Sequence, residues 1–312
     1  MINYDKELFI SHRDNCIPSM RFYSKRVSSS KLLPRISRFI NKYLYKIGIG
    51  SSVNRYDNSF TIYSAIQDRK LYSEYQKGEK FINFGSGAFF HHNWKNYDYP
   101  GQSKYYKSLQ GEEGIDFYPI DLCDDSQRLL IDNQTITLIY SSHTLEHLNY
   151  SSADRFLREC YRVLKEDGII RLALPNTKND FLVCSLLRDQ FEDGHILKNK
   201  YMKDAASHIL SYINNIPFEE VASLFDVSQY DSSKFYDLVN EKYSLASSFD
   251  SSNPDRHISY WDYNLLIGII KKIGFRYCIP CYQGSSFARP FTNISVFDNT
   301  EPHISFYVDI IK

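Results

Sequence analysis

From residue 79 onward the chain alternates short apolar runs with stripes at helical spacing. "KFINFGSG" (80–87) is an apolar run that ends in two glycines, and "FYPIDL" (117–122) and "TITLIYSS" (135–142) are further runs. β-branched and aromatic residues dominate them, which predicts strands. "SSADRFLRECYRVLKEDG" (151–168) reads as a helix. Ser151 and Asp154 offer a capping box, and Phe156, Leu157, Cys160, Tyr161 and Leu164 recur on one face. Lys165 suits the negative end of that helix and Gly168 offers a stop. "IIRLALP" (169–175) follows as a nearly all-apolar strand, the pattern of a strand buried on both faces. Such alternation predicts an α/β protein with a doubly wound, mostly parallel sheet.

Residues 177–256 break the rhythm. They are polar and helix-prone, which predicts a helical insertion covering the end of the sheet. The alternation then resumes: Ser259 and Asp262 offer a second capping box, "YWDYNLLIGIIKKI" carries a helical stripe, and Gly274 ends it before "FRYCIPCY". With "HISFYVDIIK" (303–312) at the end, this order predicts an antiparallel hairpin at one sheet edge. Residues 1–75 show no clean alternation and are expected to form an N-terminal extension with one or two helices. The expected division is therefore 1–75 and 76–312, with 177–256 as an insertion in the second unit.

Charge changes the picture only locally. The formal net charge is zero, so no whole-molecule field attracts nucleic acid. Residues 1–50, however, hold ten Lys/Arg against three Asp/Glu. The stretch 31–50 reads either as a solvated surface helix or as a peripheral contact with an anionic membrane or acidic partner. No apolar run reaches the roughly 18 residues of a membrane span, and "MINYDKELFI" does not read as a signal peptide. A cytoplasmic location is the expectation. Six cysteines are too few for a disulfide scaffold at this length, and "CIPC" (278–281) is the one Cys-x-x-Cys, expected to be structural.

In an open parallel sheet, ligands bind beyond the carboxyl ends of the strands. Those ends are Gly85-Ser86-Gly87, Asp98, Asp121-Leu122, Ser141 to His143, and Pro175-Asn176. Glycines allow close approach to the backbone, and carboxylates on neighbouring strand ends suit the hydroxyls and amine of a nucleoside. Each piece alone reads as an ordinary turn; their order and spacing carry the signal.

The set resembles the class I S-adenosylmethionine-dependent methyltransferases, and in particular bacterial members with a glycine pair, Trp-x-Asn-x-Asp, Ser-x-His-x-Leu-Glu-His and Arg-Val-Leu-Lys-x-Gly-Gly. The matching pieces are "FINFGSG", "NWKNYD" (93–98), "PIDL" (119–122), "YSSHTLEHL" (140–148), "YRVLKEDGIIRLALPN" (161–176) and "HISYWDYNLLIGIIKKIGF" (257–275). The resemblance implies a Rossmann-like fold and S-adenosyl-L-methionine as cofactor. It implies Gly85, Ser86 and Gly87 beside the methionine part, Asp98 on the ribose, Asp121 and Leu122 around the adenine, and Ser141, Ser142 and His143 under the sulfonium. There are departures. Asn83 replaces the usual acidic residue, Asp167 stands where the first of two glycines is usual, and only thirteen residues separate Gly85 from Asp98. Standard dinucleotide folds place roughly 20 between loop and acid, so a short or missing first helix is expected.

His143, Glu146 and His147 form His-x-x-Glu-His. A zinc hydrolase would need this motif inside a helix, and here it follows a strand. Related ubiquinone-biosynthesis and small-RNA 2′-O-methyltransferases carry Glu-x-x-Glu-His at this place, but two imidazoles are a poor match for Mg²⁺. The expectation is a site without metal. Transfer to an alcohol needs a base for its proton. His143 is the first candidate, oriented by Glu146, and His257 the second; His147 is expected to pack the wall. His91 and His92, after the glycine loop, carry no assigned role. The expected function is O-methylation of a polar acceptor such as a sugar or surface-glycan precursor, the polysaccharide part resting on the resemblance. The alternative is a degenerate methyltransferase-fold module that binds a partner through its basic N-terminal segment.

Overall fold

The structure, a computed structural model, describes residues 19–22, 32–54, 58–101, 117–176, 249–252, 254, 256–299 and 305–312. Most of the expected insertion, 177–248, lies outside the described residues.

The N-terminal unit holds β1 (Ser19–Phe22), α1 (Leu32–Leu44), β2 (Ile49–Val53), β3 (Phe60–Ser64) and α2 (Ala65–Leu71). The three strands form an antiparallel sheet in the order β1-β3-β2. The two helices fit the expected helical extension, but the sheet was not expected. β3 does alternate, but one of its two buried positions is Thr61, beside Tyr63, so hydrophobicity alone hides the period. α1 packs by its polar face. Pro34, Ser37 and Asn41 are buried, and Asn41 exchanges two 2.8 Å hydrogen bonds with the backbone of Ser51 in β2. The Ser37 hydroxyl donates to the same Ser51 carbonyl at 3.2 Å. The opposite face carries the exposed apolar side chains Leu32, Ile36, Phe39 and Tyr43, spaced i, i+4, i+7, i+11.

The main unit holds β4 (Phe81–Phe84), β5 (Trp94–Asp98), β6 (Phe117–Pro119), β7 (Ile136–Ser142), α3 (Tyr150–Val163), β8 (Leu164–Pro175), α4 (Tyr263–Ile273), β9 (Tyr277–Cys281) and β10 (Ser305–Ile311). They form a seven-stranded sheet in the order β6-β5-β4-β7-β8-β10-β9. β4 to β8 run parallel, and β10 lies antiparallel between β8 and β9. The C-terminal hairpin is as expected, with β9 at the edge. The winding reverses between β4 and β7, the place where such sheets open a ligand crevice. β4 passes to β5 without a helix, as the short spacing requires.

Three local expectations shift. α3 starts at Asn149, whose side chain accepts the Ser152 amide at 2.8 Å, so the cap stands two residues before the Ser151 box. The helix also ends earlier, because Leu164 already pairs with Ile136 in β7; a register irregularity follows, with Asp167 at φ 60°. α4 starts three residues later than the Ser259 box implies: Asp262 is itself the cap and accepts the Leu265 amide at 2.8 Å, while the Ser259 hydroxyl donates to the Leu145 carbonyl at 3.1 Å; Gly274 closes the helix as expected, at φ 109°.

Phe156, Leu157, Cys160 and Val163 of α3 and Leu266 and Ile270 of α4 cover one sheet face, meeting Ile82, Ile139, Ile170 and Leu172. Each such large side chain contributes about 1.5–3 kcal/mol on burial. The other face is aromatic, with Phe89, Trp94, Tyr140, Phe291 and Phe297 in mutual ring contact. One charged residue stands in the buried part of β8. Arg171 is fully buried, and its guanidinium meets Asp298 at 2.5 Å and Asp309 at 3.0 Å. Burial also pushes the Cys278 and Cys281 thiols up to about 12, so the Cys-x-x-Cys pair is held as thiols of low reactivity within and at the end of β9.

Candidate active site

The rim is built from strand ends that the parallel register aligns. Phe84 of β4 pairs with Tyr97 of β5 and Ser141 of β7, and Ser142 pairs with Ala173 of β8. The chain leaving β4 turns at Gly85 (φ 63°) and Gly87 (φ 52°), both left-handed. Gly85 is needed twice over, since a Cβ there would also run into the Thr144 side chain. The Thr144 hydroxyl in turn donates to the Phe84 carbonyl at 3.3 Å. Thus the loop after β7 is packed against the loop after β4.

Asp98 ends β5 and braces the glycine turn. Its Oδ2 accepts the Gly87 amide at 2.6 Å and the Ser86 hydroxyl at 3.5 Å, and its Oδ1 accepts the Tyr99 amide at 2.8 Å. These bonds place the carboxylate at the rim, beside the glycine turn. Asp121 is half-buried and uses Oδ1 to accept the Cys123 amide at 2.8 Å, while Leu122 packs on the core beside it. Ser141 and Ser142 are buried, and the Ser141 hydroxyl has no hydrogen-bond partner among the described residues. Asn83, in the place of the usual acid, lies inside the sheet and donates to Asn96 at 3.4 Å.

His143 stands at φ 51°, just past β7, and its amide extends the ladder to the Ala173 carbonyl at 2.8 Å. The strained turn throws the imidazole across the rim. Nδ1 lies 3.2 Å from Oε1 of Glu146, and Nε2 lies 2.8 Å from the hydroxyl of Ser305. Ser305 was not anticipated. It reaches the rim because β10 is antiparallel and begins where β8 ends, opposite Pro175. Glu146 and His147 belong to a single 3-10 turn, Leu145–His147. A strap from the far side of the chain closes over it: the Ile258 and Ser259 amides donate to the Glu146 carbonyl at 2.7 and 3.1 Å. Nδ1 of His147 lies 3.0 Å from the Arg256 carbonyl, and the His147 and His257 rings meet edge to face at 4.7 Å.

Burial by itself would raise the Glu146 carboxyl, but His143 first, and then His147 and His257, outweigh it and hold it down to about 2. Burial, with His147 beside it, holds His257 down to about 3. The structure therefore brings His143, Glu146, His147 and His257 together. The donor atoms of Glu146, His147 and His257 lie within 4.8 Å of one another and could hold a metal ion. His91 and His92 lie elsewhere. His91 donates from Nε2 to the buried Asp68 at 2.9 Å and accepts the Asn93 amide at Nδ1, a structural role.

The mostly parallel sheet thus opens its crevice at the β4/β7 reversal, beside a left-handed glycine turn braced by Asp98. Residues 97–172 match the family model described as a methyltransferase domain, about a quarter of the chain. Over that stretch the chain is similar to methyltransferase domains, and S-adenosylmethionine is the cofactor which that likeness implies. Solved structures that align with the chain include an S-adenosylmethionine-dependent methyltransferase from Archaeoglobus fulgidus, at 11% identity and TM-score 0.38, covering 79% of this chain and 92% of that one. Another from Mesorhizobium loti aligns at 11% identity and TM-score 0.36, over 78% of this chain and 96% of its own. The DszA carbon methyltransferase aligns at 12% identity and TM-score 0.37 over 80% of this chain, which spans 51% of that structure. No curated protein matches the chain. The rim fits the cofactor on its own terms: two left-handed glycines, the Asp98 carboxylate and the buried Ser141 hydroxyl, which has no hydrogen-bond partner among the described residues, line one edge.

Proposed function

We propose that the protein transfers a methyl group from S-adenosylmethionine to a hydroxyl of a polar acceptor, a sugar or surface-glycan precursor, with His143 as general base. The observation that carries this is the placement of the His143 imidazole at the rim, between Glu146 and Ser305. When bound, the cofactor supplies an electrophilic methyl on a positive sulfur. The acceptor's O–CH3 bond would form as the S–CH3 bond breaks, its electron pair staying on sulfur to leave S-adenosylhomocysteine, and the proton of the broken O–H bond would pass to Nε2 of His143. The Ser305 hydroxyl marks the point from which Nε2 receives it, and Glu146 orients the ring from the other side. His257, the second base candidate, lies under the strap and against His147, so His143 is preferred. The polar insertion, rich in Tyr, Asp, Asn and Ser, supports a sugar-like acceptor. The test is twofold. Calorimetry with S-adenosylhomocysteine should give one site per chain, and labelled methyl should pass to the hydroxyl of a nucleotide- or lipid-linked sugar. Absence of S-adenosylhomocysteine binding would overturn the enzyme reading and leave the partner-binding alternative. A carbon- or nitrogen-methylated product would overturn the role of the base.

A separate observation favours membrane attachment of the same enzyme. No helix among the described residues is long and apolar enough to cross a membrane. Yet α1 turns an apolar stripe outward, and residues 15–56 hold nine Lys/Arg and no Asp/Glu. We infer that α1 rests in the headgroup layer of an anionic bilayer, which would bring the rim to lipid-linked acceptors.

A further inference from the structure

Glu146 is 1% exposed, and apart from the offset approach of His143 neither carboxylate oxygen has a hydrogen-bond partner among the described residues. A buried carboxylate with one offset donor is costly, and such groups are found fully paired or bound to metal. The geometry points to a site for one divalent transition-metal ion, of the zinc or cobalt type, held by Glu146, His147 and His257.

Three further observations support this. The first is the tautomer of His147. A backbone carbonyl only accepts, so the 3.0 Å contact to Arg256 fixes the proton on Nδ1 and leaves the Nε2 lone pair for a ligand. Metal-binding histidines are held in this way. The second is preorganisation. Glu146 and His147 share one turn, and the Ile258 and Ser259 amides pin the strap that carries His257 to the Glu146 carbonyl without help from an ion. The third is the donor set. Two imidazoles and one carboxylate form the ligand set of catalytic zinc sites that keep a fourth position open. Tetrahedral ligands at about 2.1 Å stand roughly 3.4 Å apart, so the observed spread of up to 4.8 Å closes by small side-chain movements. This reverses the metal-free expectation drawn from the motif. His143 is not the third donor; it stands behind Glu146, and the third donor is His257, 110 residues after His147. The site stands on its own geometry and does not depend on the O-methylation reading.

The test uses the full-length chain, free of affinity tags, stripped with a chelator and dialysed against Zn²⁺ or Co²⁺. Wild type should take up one ion per chain by elemental mass spectrometry, and the Co²⁺ form should show the visible bands of a four-coordinate site. Glu146→Gln and His257→Asn should each weaken uptake by about a hundredfold or more, the upper range seen when even outer partners are removed. His143→Ala, which removes the neighbour of one ligand, Glu146, should weaken it about tenfold. Melting curves in chelator establish which variants fold, and His147→Asn replaces any that does not. No uptake by wild type, or wild-type uptake in the folded ligand variants, overturns the proposal. S-adenosylhomocysteine binding is measured on the same samples in chelator, so loss of the metal site and loss of the methyltransferase reading are told apart.

Discussion

The backbone amide of Gly87 donates to Oδ2 of Asp98 at 2.6 Å. One bond therefore ties the turn after β4 to the end of β5, and the residue expected on the cofactor ribose is also the brace of the loop beside it. Asp98→Ala is expected to weaken S-adenosylhomocysteine binding about tenfold, or ~1.4 kcal/mol. Asp98→Asn keeps an acceptor and should fall between. Calorimetry decides: unchanged affinity in the alanine variant would leave Asp98 as a brace only.

Gly85→Ala should cost more than a methyl group usually does. A left-handed non-glycine residue costs roughly 1–2 kcal/mol, and the new Cβ also meets Thr144. Melting should fall by about 4 °C or more, with cofactor binding lost or greatly weakened. Adding Thr144→Ala removes the collision but not the dihedral strain, so it should restore part of the loss. Full restoration would show that the collision alone matters.

His143→Ala separates chemistry from binding. If the imidazole takes the acceptor's proton, turnover should drop by about a hundredfold or more, while S-adenosylhomocysteine affinity stays within a few-fold. Ser305→Ala, which removes the Nε2 neighbour, should give a smaller loss of turnover than His143→Ala. Equal loss of binding and turnover in His143→Ala would make His143 a wall of the pocket.

Much of this rim was legible because it rests on local rules. "FINFGSG" carries an apolar strand and two glycines, and both glycines are left-handed; thirteen residues to Asp98 left no room for a helix, and none forms. What stayed hidden depends on partners remote in sequence. Ser305 faces His143 only because β10 enters antiparallel beside β8. His257 reaches Glu146 through backbone bonds of the strap. β3 buries a threonine, so its alternation did not read as hydrophobic. The cap of α3 moved to Asn149 because two capping chemistries stood within two residues.

Asp68 offers a stability test with a defined sign. It is fully buried, 2.9 Å from His91 and 2.6 Å from Asn293, and accepts the Tyr45 hydroxyl, so α2 is fastened to the loops after β4 and β9. Burial pushes its carboxyl up, but His91 and the hydrogen bonds outweigh that, and the net shift is downward. A depressed carboxyl contributes stability above its unfolded value, here the ordinary 3.8, and loses it as pH falls through the folded value. Asp68→Asn should cost about 1–3 kcal/mol at pH 7. In denaturant melts the gap from wild type should hold down to the ordinary carboxyl range and close only below it. A gap that closes between pH 7 and 5 would point to another group.

The orientation of α1 makes a prediction that the sequence pattern alone could not. A surface helix ordinarily buries its apolar stripe. Here Ser37 and Asn41 hold the helix to Ser51, and Leu32, Phe39 and Tyr43 are left 64, 64 and 55% exposed. Arg35 and Lys42 flank the stripe on one side, and no acidic residue lies nearby in sequence. Apolar exposure with a basic flank matches an anionic bilayer better than a second copy of the same basic face, which would repel itself. The full chain should sediment with vesicles containing phosphatidylserine or phosphatidylglycerol and remain in the supernatant with pure phosphatidylcholine. Raising salt should weaken binding, by screening the basic flank. Phe39→Asp and Ile36→Asp should abolish sedimentation and leave S-adenosylhomocysteine affinity unchanged, since neither residue belongs to the rim. Concentration-dependent dimerisation lost in the same variants, without vesicle binding by wild type, would assign the face to self-association.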